Sequence, residues 1–281
     1  MMARMVTLAA VIALGSWSVE VRADDGLLDL PSPLFASLDG LLSGWLPGTA
    51  RLIFWGVVAG VVSMALYRLT SNQARLAAIK GETLALRRQM AAFDGPFLEL
   101  WQLVRRNLML ALRQLWVTLV PAVLASVPVI FLLVWISNSF GLVTPAPGEP
   151  IEVEAVASAG ANLPALHWSA AVATSEGEGE WIVRWPEPGT RLALQDADGK
   201  VLLDLPTPSP GSVVHQRRWW NALIGNPAGY LPPGPVDVVT IGLPTRTFLP
   251  FGPSWLRGWI PLFFAVVIAV SLALKLVWRL H

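Results

Sequence analysis

Four long uncharged stretches dominate the pattern of polar and apolar positions. The first, Met5–Val19, follows Arg4 and ends just before Val21-Arg22-Ala23 and the acidic pair Asp24-Asp25. A basic start, a short apolar run and small residues ahead of a polar switch predict a signal peptide over residues 1–23; an uncleaved anchor is the competing reading. The other three runs are Leu52–Tyr67 between Arg51 and Arg68, Gln114–Phe140, and Gly258–Leu274 between Arg257 and Lys275. They predict membrane spans over 51–68, 114–138 and 255–276, with a short tail at 277–281. Sixteen helical residues rise only about 24 Å, less than a ~30 Å hydrocarbon core, so the arginines flanking the first span must snorkel. Trp255, Trp259 and Trp278 suit interfacial anchoring of the third span, and Leu132 is expected on the lipid face of the second.

Between the runs the periodicity changes. Leu69, Asn72, Leu76, Ile79, Thr83, Leu86, Met90 and Phe93 recur at 3-4 spacing, Asp94-Gly95-Pro96 breaks the pattern, and Phe97, Trp101, Val104, Leu108, Ala111 and Leu115 resume it at strict 4-3 spacing. Two such seams around a tight turn predict an antiparallel coiled-coil hairpin over 69–113. Residues 24–50 are acidic and turn-rich, with leucines at roughly helical spacing, and read either as an amphipathic helix at the membrane–water interface or as a linker. Within 139–250 the period drops to two at Ile151–Val156 and Trp181–Trp185. Arg191–Gln195 and Val201–Leu205 flank Asp196–Lys200 with Gly199 at the expected positive-φ site, and Val236–Leu243 makes a last strand. Together these predict one small antiparallel sandwich or barrel of about 90 residues. The fold class is thus an α-helical membrane protein with three transmembrane helices, a cytoplasmic hairpin and a small all-β extracytoplasmic domain.

Composition supports a bilayer setting. Of 281 residues 54% are hydrophobic and only 14% charged, with a mean hydropathy of +0.56, against about 25% charged in a typical soluble domain. Orientation follows from the loops. The 68–113 connection carries eight basic and three acidic side chains, whereas 138–254 carries six basic and eleven acidic. The positive-inside rule places 68–113 and the C-terminus in the cytoplasm, and the mature N-terminus and the β-domain outside, as in a bacterial-type inner membrane.

Candidate chemistry is sparse. The chain has no cysteine, which removes thiolate catalysis and Cys-based metal sites. His167, His215 and His281 share no metal-ligand spacing, and no H-E-x-x-H, P-loop or G-x-G-x-x-G occurs. Glu176, Glu178 and Glu180 read as a solvated loop, with weak cation binding as the alternative. Arg217-Arg218-Trp219-Trp220 suits lipid headgroups, a partner, or a basic-aromatic seam near the outer leaflet. No Asp, Glu, Lys or Arg sits mid-span, which argues against a proton-coupled pump. The polar residues that remain in the spans are Ser63, Thr118, Ser126 and Ser271, with Pro121 and Pro128 in the second span. Arg51 is the candidate groove charge, or else an ordinary snorkelling residue. No cofactor and no catalytic or metal-binding residue is expected.

The order of elements, the basic hairpin Arg68–Arg113 feeding Leu119-Val120-Pro121 and Pro128–Trp135, and the run Leu243-Pro244, Phe248-Leu249-Pro250-Phe251, Trp255–Trp259 closing at Leu274-Lys275-Leu276 carry a resemblance. The chain resembles the Oxa1 superfamily of membrane-protein insertases, in the minimal three-span branch that takes in the archaeal DUF106, EMC3 and TMCO1 families. The likeness covers roughly residues 50–137 and 243–281. Two features depart from it: a β-domain stands between the second and third spans, and the hairpin is poor in methionine, with Met90 and Met109 its chief examples.

The resemblance implies an energy-independent, non-enzymatic insertase or chaperone whose clients are newly made membrane proteins. Its groove would use Arg51, Ser63, Thr118, Ser126 and Ser271. Its hairpin would meet clients, membrane lipid or the ribosome through Arg68, Arg75, Arg87, Arg88, Met90, Arg105, Arg106 and Met109. Homo- or hetero-oligomers are compatible with three short helices that bury little against one another. The alternative is a membrane-anchored envelope protein whose β-domain binds a protein or glycan through an aromatic patch at Trp181, Trp185 or Trp220.

Overall fold

A computed structural model describes residues 26–170, 173–208 and 210–278; the signal-peptide expectation lies outside them. After a short 3-10 turn at Leu27–Asp29 come helices α1 (Ser32–Ser43), α2 (Gly48–Thr70), α3 (Gln73–Ala91) and α4 (Phe97–Phe140). Strands β1 (Pro150–Ala157), β2 (His167–Trp168), β3 (Ala173–Gly177), β4 (Glu180–Arg184), β5 (Leu192–Gln195), β6 (Val201–Leu205), β7 (Val213–Gln216), β8 (Tyr230–Leu231) and β9 (Val236–Ile241) follow. Helices α5 (Ser254–Arg257) and α6 (Trp259–Val277) close the chain. The fold divides into a β unit, residues 26–40 with 142–245, and a helical unit, residues 41–141 with 246–278.

Three helices, α2, α4 and α6, are long and apolar enough to cross a membrane, which supports an integral membrane protein. α2 is their hub. It runs antiparallel to α4, with Trp55 edge-on to Trp135 at 5.1 Å and the Arg51 guanidinium 5.4 Å from the Phe140 ring. It runs parallel to α6, where Gly56 and Gly60 admit Val266 and Val270 and Arg68 stacks over Trp278 at 5.2 Å. α4 and α6 each pack along α2, but share no comparable face with one another. The outer sides of α6 stay bare, and Phe263 is its sole fully covered side chain among the described residues.

α3 caps its first turn through Asn72, whose side chain accepts the Arg75 N–H at 3.0 Å. It then lays Leu76, Ile79 and Leu86 against α4. The matching face of α4 corrects the sequence reading. The strict 4-3 seam points away from α3, with Phe97 73%, Trp101 58% and Leu108 58% exposed. The inward row is Leu103, Asn107, Leu110, Gln114, Val117 and Pro121, which keeps the same spacing one position round the helix. Leu132 also turns inward at 4% exposure, continuing that row rather than facing lipid.

The β unit has a six-stranded sheet, β3-β4-β1-β9-β7-β8, and a three-stranded sheet, β2-β5-β6, which share one hydrophobic core. Strand β1 alternates as its sequence demands, with Ile151, Val153 and Ala155 inward and Glu152 and Glu154 outward. The sheet is not wholly antiparallel, because β8 joins β7 in parallel. The glutamate run is not a loop: Glu176 lies on β3 and Glu180 on β4, joined through Gly179 at φ +83°.

Candidate functional site

The helix contacts fix the relative levels of the span residues. Along the antiparallel α2–α4 pair, Arg51 meets Phe140 and Trp55 meets Trp135. Along the parallel α2–α6 pair, Gly56 meets Val266, Gly60 meets Val270 and Arg68 meets Trp278. Counting from these contacts at 1.5 Å per residue, Ser63, Ser126 and Ser271 fall within about 3 Å of one level, roughly 18 Å from the Arg51 end. All three are half-buried. Thr118 does not join them, because the same count places it level with Asn72, past the Arg68 end.

The hydroxyl protons of Ser126 and Thr118 are already committed locally. Ser126 Oγ donates to the Val123 carbonyl at 2.8 Å, and Thr118 Oγ1 sits 2.9 Å from the Gln114 carbonyl and 3.0 Å from that of Leu115. Their oxygens still carry acceptor capacity. Pro121 and Pro128 add to it, since a proline ring supplies no N–H to the carbonyl four residues back. The carbonyls of Val117 and Leu124 are thereby freed on the same half of α4. This half of the helical unit is therefore rich in acceptors, and the same count brings the exposed Lys275 of α6 to within about 3 Å of the serine level, a setting suited to polar backbone or a polar tail.

At the opposite end Arg51 is half-buried in an aromatic column. Trp135 packs on Phe140 at 5.8 Å, and Phe140 on Phe248 at 6.3 Å. The loop carrying Phe248 is pinned by its N–H to the Arg257 carbonyl and by Arg257 Nε to the Gly252 carbonyl, both 2.7 Å. Arg51 and the serine level are thus separate features, and no single cluster joins all five groove candidates.

The hairpin candidates also separate. Met90 is half-buried on the inner side of the hairpin, whereas Arg75, Arg87, Arg88, Arg105 and Arg106 are exposed. Met109 is exposed and helps line a shallow hollow of about 520 Å³ with Arg106, Leu110, Leu112, Arg113 and Trp116. Trp116 and Leu112 were not singled out from the sequence. The signal that could have found them is the 3-4 row Met109, Leu112 and Trp116, flanked by Arg106 and Arg113.

In the β unit, Trp181 and Trp185 are buried core residues, Trp181 being 8% exposed and edge-on to Trp168. They offer no surface patch. His215 is held between Trp220 at 5.0 Å and Tyr230 at 5.7 Å, and His167 is exposed on a two-residue strand. Glu152, Glu154, Glu176 and Glu180 line an open acidic hollow of about 280 Å³. No grouping that could hold a metal ion occurs among the described residues. No protein-family model, curated protein or solved structure matches the chain.

Proposed function

We propose that the protein is a membrane-protein insertase or chaperone of the Oxa1 type, with the hairpin in the cytoplasm and the β unit outside. The observation that carries the reading is the common level of Ser63, Ser126 and Ser271 on three helices, of which α4 and α6 each pack along α2 and share no comparable face with one another. A client segment entering between α4 and α6 would find hydroxyl and freed carbonyl acceptors part-way across, which lowers the cost of carrying unsatisfied polar groups into hydrocarbon. The short uncharged stretch of α2, Leu52–Tyr67 between Arg51 and Arg68, favours a locally thinned bilayer, which lowers it further.

The exposed row Phe97, Trp101, Leu108, Leu115 and Trp116 would give an incoming apolar segment a track along α4 toward that level, with Arg105, Arg106 and Arg113 holding acidic flanks or ribosomal RNA by charge. No bond is made or broken, so this is transport without catalysis. The envelope-adaptor reading expected an aromatic patch at Trp181, Trp185 or Trp220; Trp181 and Trp185 are buried, and Trp220 is 37% exposed.

The test is a photocrosslinking residue at Ser126 in membranes translating a short single-span client, with a control at exposed Leu124, on the opposite side of α4. Nascent-chain adducts at position 126, absent at 124 and lost once the client enters lipid, are expected. Equal adducts at both positions, or none with several clients, would overturn the proposal.

A further inference from the structure

The β unit carries an apolar platform assembled from two distant parts of the chain. The 3-10 turn Leu27–Asp29 is tied to a second 3-10 turn, Trp219–Ala222, and the residues after it. Leu28 N–H donates to the Leu223 carbonyl at 3.0 Å, and Asp29 Oδ2 accepts the N–H groups of Gly26 at 3.0 Å and Gly225 at 3.1 Å. Gly26 is required at this seam. A Cβ there would stand 2.3 Å from Gly225 N and 2.7 Å from the Leu223 carbonyl oxygen. The second turn is closed on itself by buried Asn221, which accepts the Arg218 N–H at 2.6 Å and donates to the Ile224 carbonyl at 3.3 Å.

Internal polar groups therefore satisfy one another while large apolar side chains are left outside. Trp219 is 89% exposed; Leu223 and Ile224, which follow its turn, are also exposed, as are Leu27 and Leu30 at the turn tied to them. Arg217 is exposed beside them with its guanidinium over the Tyr230 ring, whereas Arg218 is engaged by Asp237 in two hydrogen bonds of 2.6 and 2.8 Å.

We propose that this platform is a lipid-binding surface that rests on the interface of an anionic phospholipid bilayer. Three observations select lipid over a protein partner. The turn's backbone groups are spent internally, so it offers few of the directional hydrogen bonds that a protein interface uses and little polar surface to desolvate. Tryptophan, leucine and isoleucine beside an arginine are the composition of an interfacial anchor, with the cation complementary to headgroup phosphate. The platform is also continuous in sequence with the membrane segment, since α1 follows its first turn directly and only four residues separate α1 from α2. The inference is independent of insertase activity, because it concerns the β unit alone.

The chain contains no cysteine, so single spin labels can be placed without background. The full-length protein, carrying Trp219→Cys or Ile224→Cys, would be labelled and reconstituted in vesicles of phosphatidylglycerol and phosphatidylethanolamine. Asp198→Cys, on the exposed β5–β6 turn, is the aqueous reference. Both platform labels are expected to be several-fold more accessible to oxygen than to a water-soluble nickel chelate, with the reverse ratio at 198. Arg217→Gln should reduce that bias, and so should replacing the anionic lipid with phosphatidylcholine.

Chelate accessibility at 219 and 224 equal to that at 198 would overturn the proposal. So would shielding from both reagents that disappears as the protein-to-lipid ratio falls, which would identify a second copy as the occupant. Because the label sits on a surface turn, circular dichroism matching the parent protein separates loss of docking from loss of fold.

Discussion

Gly60 of α2 and Val270 of α6 approach so closely that a Cβ on Gly60 would stand 2.9 Å from Val270 Cγ1. Val270 is β-branched and its methyl groups have little freedom to move aside. Gly60→Leu is therefore expected to force the helices apart and cost about 1–3 kcal/mol. The milder Gly60→Ala should be substantially rescued by Val270→Ala in the double variant. Reversible unfolding in mixed detergent micelles, analysed as a double-mutant cycle, would show the coupling.

Asp29 is a buried carboxylate with two backbone N–H partners far apart in sequence. Asp29→Ala leaves both amides unsatisfied and is expected to cost about 1–3 kcal/mol locally. Hydrogen exchange at the Leu28 amide should accelerate by one to two orders of magnitude, while the amides of β1 and β9 keep their protection.

Gly179 combines φ +83° with a tight surround, because a Cβ would meet Leu163 Cδ2 at 2.6 Å and the Ala155 carbonyl oxygen at 2.7 Å. Its own carbonyl accepts the Ala155 N–H at 2.8 Å. Gly179→Ala should destabilise the β unit by about 2–4 kcal/mol, from left-handed backbone strain plus displacement of β1. Urea unfolding followed by tryptophan emission would report it through neighbouring Trp181.

The two faces of α4 should respond differently to truncation. Leu110 is buried against the hairpin partner, so Leu110→Ala is expected to cost about 2–3 kcal/mol. Exposed Leu108→Ala should leave stability within about 0.5 kcal/mol, yet reduce client adducts if the exposed row is the track. Asn107 Oδ1 is buried with no hydrogen-bond partner, so Asn107→Leu should stabilise the hairpin by about 1 kcal/mol. Thermal unfolding of the three variants, set beside client crosslinking, separates packing from contact.

The α4 rows show where sequence reasoning reached and where it stopped. Length and hydropathy are local properties, so the three spanning helices were legible, and the period-two strands β1 and β4 were legible for the same reason. Which face of α4 packs was not. Both rows obey the same spacing, and the more apolar one, Phe97 to Leu115, is the one left outside. A membrane protein need not hide its most hydrophobic face from its surroundings, so the usual rule loses its direction. The short strands β2, β7 and β8 were missed because two to four residues cannot establish a period. The common level of Ser63, Ser126 and Ser271 depends on pairings between helices about 60 to 200 residues apart in sequence, which periodicity cannot see.

Helix α4 runs unbroken for 44 residues, about 66 Å, from the hairpin tip to the Arg51 end. A rod of that length works as a lever. Its softest points are Pro121 and Pro128, where the hydrogen-bond ladder is interrupted, and Ser126 lies between them. A load applied at Phe97 would be carried stiffly for about 24 residues, roughly 36 Å, and released as bending around Ser126. Contact at the tip and the shape of the membrane passage would then be one mechanical degree of freedom.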